Sequence, residues 1–101
     1  MVVFVLNTRL ALKGWNVVSV GTVNETTCHP REVLRPVLVA AGYGFVVAHN
    51  HPSGDANPSN ADREVARRLR DAAALMQVRL VDQVVIGSNS RSFSFREAGI
   101  L

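Results

Sequence analysis

A short apolar run, residues 45–48, ends at His49, and a second histidine, His51, follows after one residue. Side chains two residues apart in an extended strand point to the same face, so both imidazoles lie side by side where this strand ends. Residues 50–58 contain two prolines, a glycine and several small polar residues, a composition typical of a structured loop. Ser59 can then cap a helix. The pattern predicts a strand–loop–helix unit with two imidazoles at its bend.

The other patterns extend this unit to the order β-β-α-β-α-β-β. Strands are predicted at residues 2–6, 11–21, 45–48, 80–86 and 92–95, the first two as a hairpin with a bulge or bend at Gly14. Pro30 opens the first helix, Pro36 predicts a kink or a late start in it, and Gly42 is the predicted C-cap. The second helix is predicted to run from Ser59 to about Gln77. The expected class is a compact α/β (α+β) domain.

Composition excludes several classes of protein. The chain has 101 residues, enough for one core, and its single cysteine, Cys28, cannot form an intrachain disulfide, which fits a reducing, cytoplasmic setting. The apolar runs are far shorter than the ~20 residues of a membrane span. The first six residues lack the features of a signal peptide and read as a strand, so we expect the chain to be a fragment of something longer. A formal charge of +3 permits nucleic-acid contact without demanding it.

Asp62 is the candidate third partner of the two histidines. Zinc prefers imidazole nitrogens with one carboxylate oxygen, and a catalytic site keeps a fourth position for water. The intervening loop can fold back and bring the first helical turn against the strand end. The competing interpretation is a capping box, in which Ser59 and Asp62 serve only the helix N-terminus. The helix dipole also favours a carboxylate there without any metal.

The complete set matches the JAMM metal signature: His49-x-His51, seven residues, then Ser59-x-x-Asp62. The surrounding residues resemble the RadC branch of that superfamily, both at the histidine loop and in the element that precedes the first helix. These segments are Ala48-His49-Asn50-His51-Pro52-Ser53-Gly54-Asp55, Asn57-Pro58-Ser59, Cys28-His29-Pro30-Arg31-Glu32-Val33, Val20-Gly21-Thr22 and Leu80-Val81-Asp82. The resemblance covers nearly the whole chain.

The resemblance implies a JAMM/MPN (cytidine-deaminase-like) three-layer fold over residues 1–101, with a curved mixed β-sheet flanked by helices. It implies Zn²⁺ on His49, His51 and Asp62, with Ser59 helping to hold a tetrahedral oxyanion. Relatives with this site are metallopeptidases, including isopeptidases, in which a metal-bound water is the nucleophile and a glutamate is the general base. The expected substrate is therefore a peptide or a protein.

Two departures from the family pattern bear on activity. The family's glutamate corresponds to a position just before Met1, and Glu25 and Glu32 are the nearest alternatives by sequence. General-base catalysis contributes typically about 10²–10⁴-fold. Gln83 occupies a position where RadC proteins commonly have histidine, and glutamine keeps a hydrogen bond but cannot titrate.

Two other functions remain open. The first is a DNA-binding module, because RadC proteins carry a DNA-repair label. Arg63, Arg67 and Arg70 share one face of the predicted helix, although most such faces are simply exposed to solvent. The second is a non-catalytic MPN interaction domain. Exposed strand edges in so small a domain also favour a homodimer.

Overall fold

The computed structural model describes residues 1–19 and 28–101. The predicted order of strands and helices is confirmed. The elements are β1 (Val2–Leu6), β2 (Leu12–Val17), α1 (Pro30–Val39), β3 (Gly44–Asn50), α2 (Asn60–Leu75), β4 (Arg79–Ile86) and β5 (Ser92–Ser94). No helix within the described ranges is long and apolar enough to cross a bilayer.

The five strands form one mixed sheet in the order β2-β1-β3-β4-β5. The β1–β2 hairpin is antiparallel as predicted, and its register skips Lys13, beside the predicted irregularity at Gly14. Strands β1 and β3 are also antiparallel, whereas β3 and β4 are parallel. The parallel pair is joined by α2, and the histidine loop lies at the carboxyl end of β3. The carboxyl end of the central strand, β3, therefore lies close to the start of α2.

Both helices pack on the same face of the sheet. The strand residues on this face alternate with outward-facing neighbours, and β1 and β3 are in register through Val3↔Val47 and Val5↔Phe45. The shared core combines these four residues with buried side chains of α1 (Val33, Leu34, Val37) and α2 (Val65, Leu69, Ala73). The α+β class and the mixed sheet with helices are confirmed, and the described residues form two of the three expected layers.

The opposite face of the sheet is also apolar. Val2, Phe4 and Val46 are half-buried there, and Trp15, which pairs with Phe4, is exposed on the same face. Trp15 is thus a sheet-face residue.

The end of α1 differs from the sequence-based expectation. The helix begins at Pro30 and continues through Pro36, so the predicted late start is wrong. The residue with positive φ is Ala41 (φ 51), and not the predicted C-cap Gly42. Glycine is required at position 42 for close packing against β1. A Cβ on Gly42 would lie 2.5 Å from Cγ1 of Val5, so only glycine lets the chain pass this close to β1. Main-chain bonds from Ala41 N–H to Leu38 O and from Gly42 N–H to Val37 O close the helix as a Schellman motif.

Candidate metal centre

Strand β3 carries His49 into the interior. His49 follows Phe45 and Val47 on the helix-facing side, and its side chain is only 3% exposed. The β3–β4 ladder continues one residue beyond the strand, because His51 N–H donates to Ile86 O at 3.1 Å. His51 therefore keeps the extended direction of the strand and points to the same side as His49. The two ring centroids lie 5.4 Å apart, as the His-x-His spacing predicts.

The loop after His51 is held by its own polar groups. Asp55 Oδ1 accepts the N–H of Asn57 at 3.0 Å, which stabilises the turn. Gly54 has a φ of +81, and its carbonyl oxygen accepts the N–H of Ser88 at 2.8 Å, so the loop is pinned to the turn after β4. Asp55 has a second role that the sequence does not reveal. Its main-chain oxygen lies 2.8 Å from Nδ1 of His51.

Because a carbonyl oxygen can only accept, Nδ1 of His51 donates the hydrogen in that contact. The proton on Nδ1 fixes the ring orientation and leaves Nε2 as the nitrogen that faces the cluster. Metal-ligating histidines commonly have their other ring N–H bonded in this way.

Helix α2 supplies the carboxylate. Ser59 is the N-cap, its Oγ accepts the N–H of Asp62 at 3.1 Å, and its own N–H donates to Oδ2 of Asp62 at 2.8 Å. The capping box considered as the competing interpretation is therefore present. It does not turn the carboxylate away from the histidines, because Asp62 contacts both of them as well.

The three side chains converge on one another. Nε2 of His49 lies 2.9 Å from Oδ1 of Asp62, and Nε2 of His51 lies 2.8 Å from Oδ2. The ligand atoms that the three residues offer all lie within 4.8 Å of one another, so His49, His51 and Asp62 could hold a metal ion. The capping box and the cluster thus share one carboxylate.

Burial and charge set the protonation of the two inner residues. Burial lowers the pKa of His49, an effect that the nearby Asp62 carboxylate only partly offsets. Burial by itself would raise the pKa of Asp62, but the hydrogen bonds from Ser59 and the proximity of His49 outweigh it and hold that pKa below its usual value. A neutral imidazole and an ionised carboxylate are the forms that bind metals.

The residues present fit a divalent metal. Two imidazole nitrogens and one carboxylate oxygen are the donor set of a catalytic zinc site with one open position. Zinc–ligand bonds of ~2.0–2.2 Å correspond to donor atoms about 3.4 Å apart, a spacing within the 4.8 Å over which the three ligand atoms lie. Within residues 1–19 and 28–101, no further His, Cys, Asp or Glu belongs to this cluster.

Gln83 is a further member of the site. It lies on β4 next to Val47, is completely buried, and its Nε2 donates to the main-chain oxygen of Asp62 at 2.9 Å. The sequence marked Gln83 only as a departure from a family pattern. The available signal was a glutamine in a mostly apolar strand, since buried amides require partners.

Other sequence candidates lie away from the cluster. Glu32 is in the first turn of α1 with an exposed side chain 3.8 Å from Arg31, and His29 is exposed at the N-cap of α1. Glu25 and the segment Val20-Gly21-Thr22 lie outside the described residues. Cys28 is buried beside Met1 and burial raises the pKa of its thiol, so it acts as a small core residue.

The arginine-rich face of α2 is exposed, as predicted for a solvated surface. Its central member, Arg67, lies 2.6 Å from Glu64 and 3.8 Å from Asp71. These pairs partly neutralise the positive charge of the face.

Comparisons with known proteins identify the family of the chain. A sequence profile described as the RadC-like JAB domain matches residues 1–100. Proteins named UPF0758 are similar to this chain: that of Thermotoga maritima is 44% identical over 98% of the chain, and that of Chlorobium luteolum is 45% identical over 95%. The Coxiella burnetii protein is 46% identical over 80% of the chain. The chain spans 44%, 43% and 36% of the lengths of these three relatives, respectively. With a profile match along nearly its whole length, the chain belongs to the RadC-like JAB domain family.

Proposed function

We propose that this domain is a JAMM-type zinc hydrolase that cleaves peptide or isopeptide bonds. The observation that carries the proposal is the position of the Asp62 carboxylate, which is buried in the first turn of α2 and contacts Nε2 of both His49 and His51. A carboxylate needed only as a cap has no reason to be enclosed by two imidazoles. Family membership and the donor set support the same chemistry.

A bound divalent metal supplies a Lewis acid for a carbonyl oxygen and lowers the pKa of a water toward about 7. The residues of the chain would hold the metal and control how water reaches it. His49 and Asp62 form the buried side of the site, where water is largely excluded, and His51 forms the partly exposed side. Ser59 lies at the exposed rim with its Oγ beside the carboxylate, where it is suited to donate to a developing oxyanion.

The general base is assigned to a position upstream of Met1. Register supports this assignment: Val2 pairs with Ala48 and Val3 with Val47, so an extension of β1 would run alongside His49 and His51. A residue two positions before Met1 would lie opposite His51 on the helix-facing side, because side chains alternate along a strand.

A metal titration tests the proposal. Protein freed of metal with a chelator is titrated with Zn²⁺ by calorimetry, and bound metal is then measured by mass spectrometry. We expect one zinc per chain, and we expect His51→Ala and Asp62→Asn to weaken binding by more than about 100-fold, since each removes a ligand. His29→Ala and Asp71→Asn are the matched controls, because both residues are exposed and lie outside the cluster.

Loss of stoichiometric zinc in the wild-type protein, or equal affinity in His51→Ala and His29→Ala, would exclude the metal site. Titration with Mn²⁺, Co²⁺ and Ni²⁺ tests the choice of zinc. Cleavage of fluorogenic peptides and of lysine-linked isopeptides by the zinc-loaded protein then separates the two substrate classes.

A further inference from the structure

Two polar atoms beside the cluster are buried without a hydrogen-bond partner in the described part of the chain: Nδ1 of His49 and Oε1 of Gln83. Gln83 is completely buried and the side chain of His49 is 3% exposed. Buried polar atoms are almost always paired, so each such atom requires an explanation. Both belong to side chains whose other polar atom is well bonded, since Nε2 of each contacts Asp62 at 2.9 Å.

The two side chains approach Asp62 from neighbouring strands. In the parallel β3–β4 pair, Val47 lies beside Gln83 and His49 beside Val85, so His49 and Gln83 are two residues out of register on the same face. His49 reaches the carboxylate of Asp62, and Gln83 reaches its main-chain oxygen. The two unpaired atoms thus belong to neighbouring side chains that both contact Asp62.

With the ring proton of His49 on Nε2, neither of these two atoms can donate a hydrogen bond to the other. Neutral His49 donates its Nε2–H to the Asp62 carboxylate, which leaves Nδ1 with a lone pair. Oε1 of Gln83 is also an acceptor only. When Nε2 instead donates its electron pair to a metal, the ring proton must lie on Nδ1. Nδ1 then becomes a donor, and an unused acceptor is available on the adjacent strand.

We infer that Gln83 is a positioning residue for His49: in the metal-loaded protein its Oε1 accepts the Nδ1–H of His49, directly or through one buried water. The inference rests on the metal site of the proposed function. Gln83 fixes the ring orientation of His49 with one end of its amide and the backbone of Asp62 with the other. His51 has the equivalent support from the main-chain oxygen of Asp55. A glutamine gives this support without a charge of its own.

The experiment follows the ring proton of His49 directly. Protein labelled with ¹⁵N-histidine is examined by two-bond ¹H–¹⁵N correlation spectra without metal and with one equivalent of ZnCl₂, in the wild type, in Gln83→Met and in Gln83→Asn. Methionine keeps the shape of the side chain and removes both polar atoms, whereas asparagine keeps the amide but shortens its reach. If the methionine variant does not fold, the asparagine variant provides the same test.

We expect zinc to move the His49 proton from Nε2 to Nδ1 in the wild type. In both variants the Nδ1 proton should shift upfield and exchange faster with solvent, and zinc affinity should fall about 10–100-fold, the usual effect of removing the partner of a ligating histidine. The Nδ1 proton of His51, which Asp55 holds, should be unchanged in every protein. This internal comparison separates loss of a specific acceptor from general loosening of the site.

An Nδ1 proton of His49 with the same shift and exchange in the wild type and both variants, while zinc binds, would overturn the role of Gln83 and leave the metal site intact. If zinc leaves the His49 ring nitrogens unchanged in the wild type, the metal site fails and the role of Gln83 fails with it.

Discussion

Ser59 and Asp62 bond to each other in both directions: Ser59 N–H donates to Oδ2 of Asp62 at 2.8 Å, and Asp62 N–H donates to Oγ of Ser59 at 3.1 Å. The same Oδ2 lies 2.8 Å from Nε2 of His51. One carboxylate oxygen therefore serves the end of α2 and the candidate metal site together. The stability of the helix terminus and the geometry of the site are coupled through this atom.

Ser59→Ala separates the cap from the site. The variant loses the Oγ acceptor but keeps the main-chain N–H that bonds Oδ2, so we expect the free energy of unfolding to fall by about 1 kcal/mol. Zinc affinity should change by less than about tenfold, because the main-chain N–H of residue 59 still bonds the Asp62 carboxylate. Urea unfolding and zinc titration measure the two effects.

The same variant tests the proposed role of Ser59 with substrate. If Oγ donates to an oxyanion, kcat for peptide hydrolysis should fall about 10²–10³-fold with KM nearly unchanged. A kcat that follows only the small change in zinc occupancy would leave Ser59 as a helix cap.

The metal-free protein should lose stability as the pH falls below about 6.5, the usual pKa of histidine. Burial lowers the pKa of His49 in the folded protein, so between its folded and unfolded pKa values the unfolded chain binds more protons. The free energy of unfolding then falls by about 1.4 kcal/mol for each pH unit in that window. Asp62 has a lowered folded pKa too, so its contribution is present above about pH 3.9 and is lost below it.

Urea unfolding in EDTA between pH 8 and pH 5 measures this dependence. His29→Gln, a change at an exposed histidine, should reproduce the wild-type slope, and His49→Gln should flatten it. Equal slopes in His49→Gln and the wild type would show that the buried imidazole is not the source.

Ala41→Gly and Gly42→Ala should have opposite effects on stability. Ala41 has a φ of 51, a conformation in which a Cβ is strained, so glycine should raise the free energy of unfolding by up to about 1 kcal/mol. A Cβ at position 42 would lie 2.5 Å from Val5 Cγ1, and such overpacking typically costs about 1–3 kcal/mol. Thermal and urea unfolding of the two variants compare them, and a stabilising Gly42→Ala would contradict the close approach to β1.

An N-terminal extension tests the position of the general base. A Glu-Ala dipeptide placed before Met1 should put a carboxylate opposite His51 if β1 continues in its present register. We expect peptidase activity of the zinc-loaded protein to rise about 10²–10⁴-fold, the usual contribution of a general base. A Gln-Ala extension is the control, and equal rates for the two extended chains would argue against this position.

Local chemistry in the sequence predicted a large part of the fold. The alternation and length of the apolar runs predict the strands and α2, because backbone geometry sets periods of 2 and 3.6 residues. The predicted element order agrees with the structure. The side-by-side imidazoles of His49 and His51 follow from the same periodicity. Helix ends were less predictable. In α1 the left-handed residue is Ala41, although a glycine follows it. Gly42 is required instead for close packing against Val5, a contact that the local sequence does not reveal.

The sequence by itself determined which residue types stand at the strand end and at the helix start, since those depend on neighbours a few positions apart. Only the tertiary structure decided where the Asp62 carboxylate points and which side chain supports it. Asp62 is 13 residues from His49 and 21 from Gln83, and these contacts depend on the β3–β4 register and on the path of the histidine loop. No local periodicity encodes that register. It is set by the burial of one face of the sheet beneath both helices.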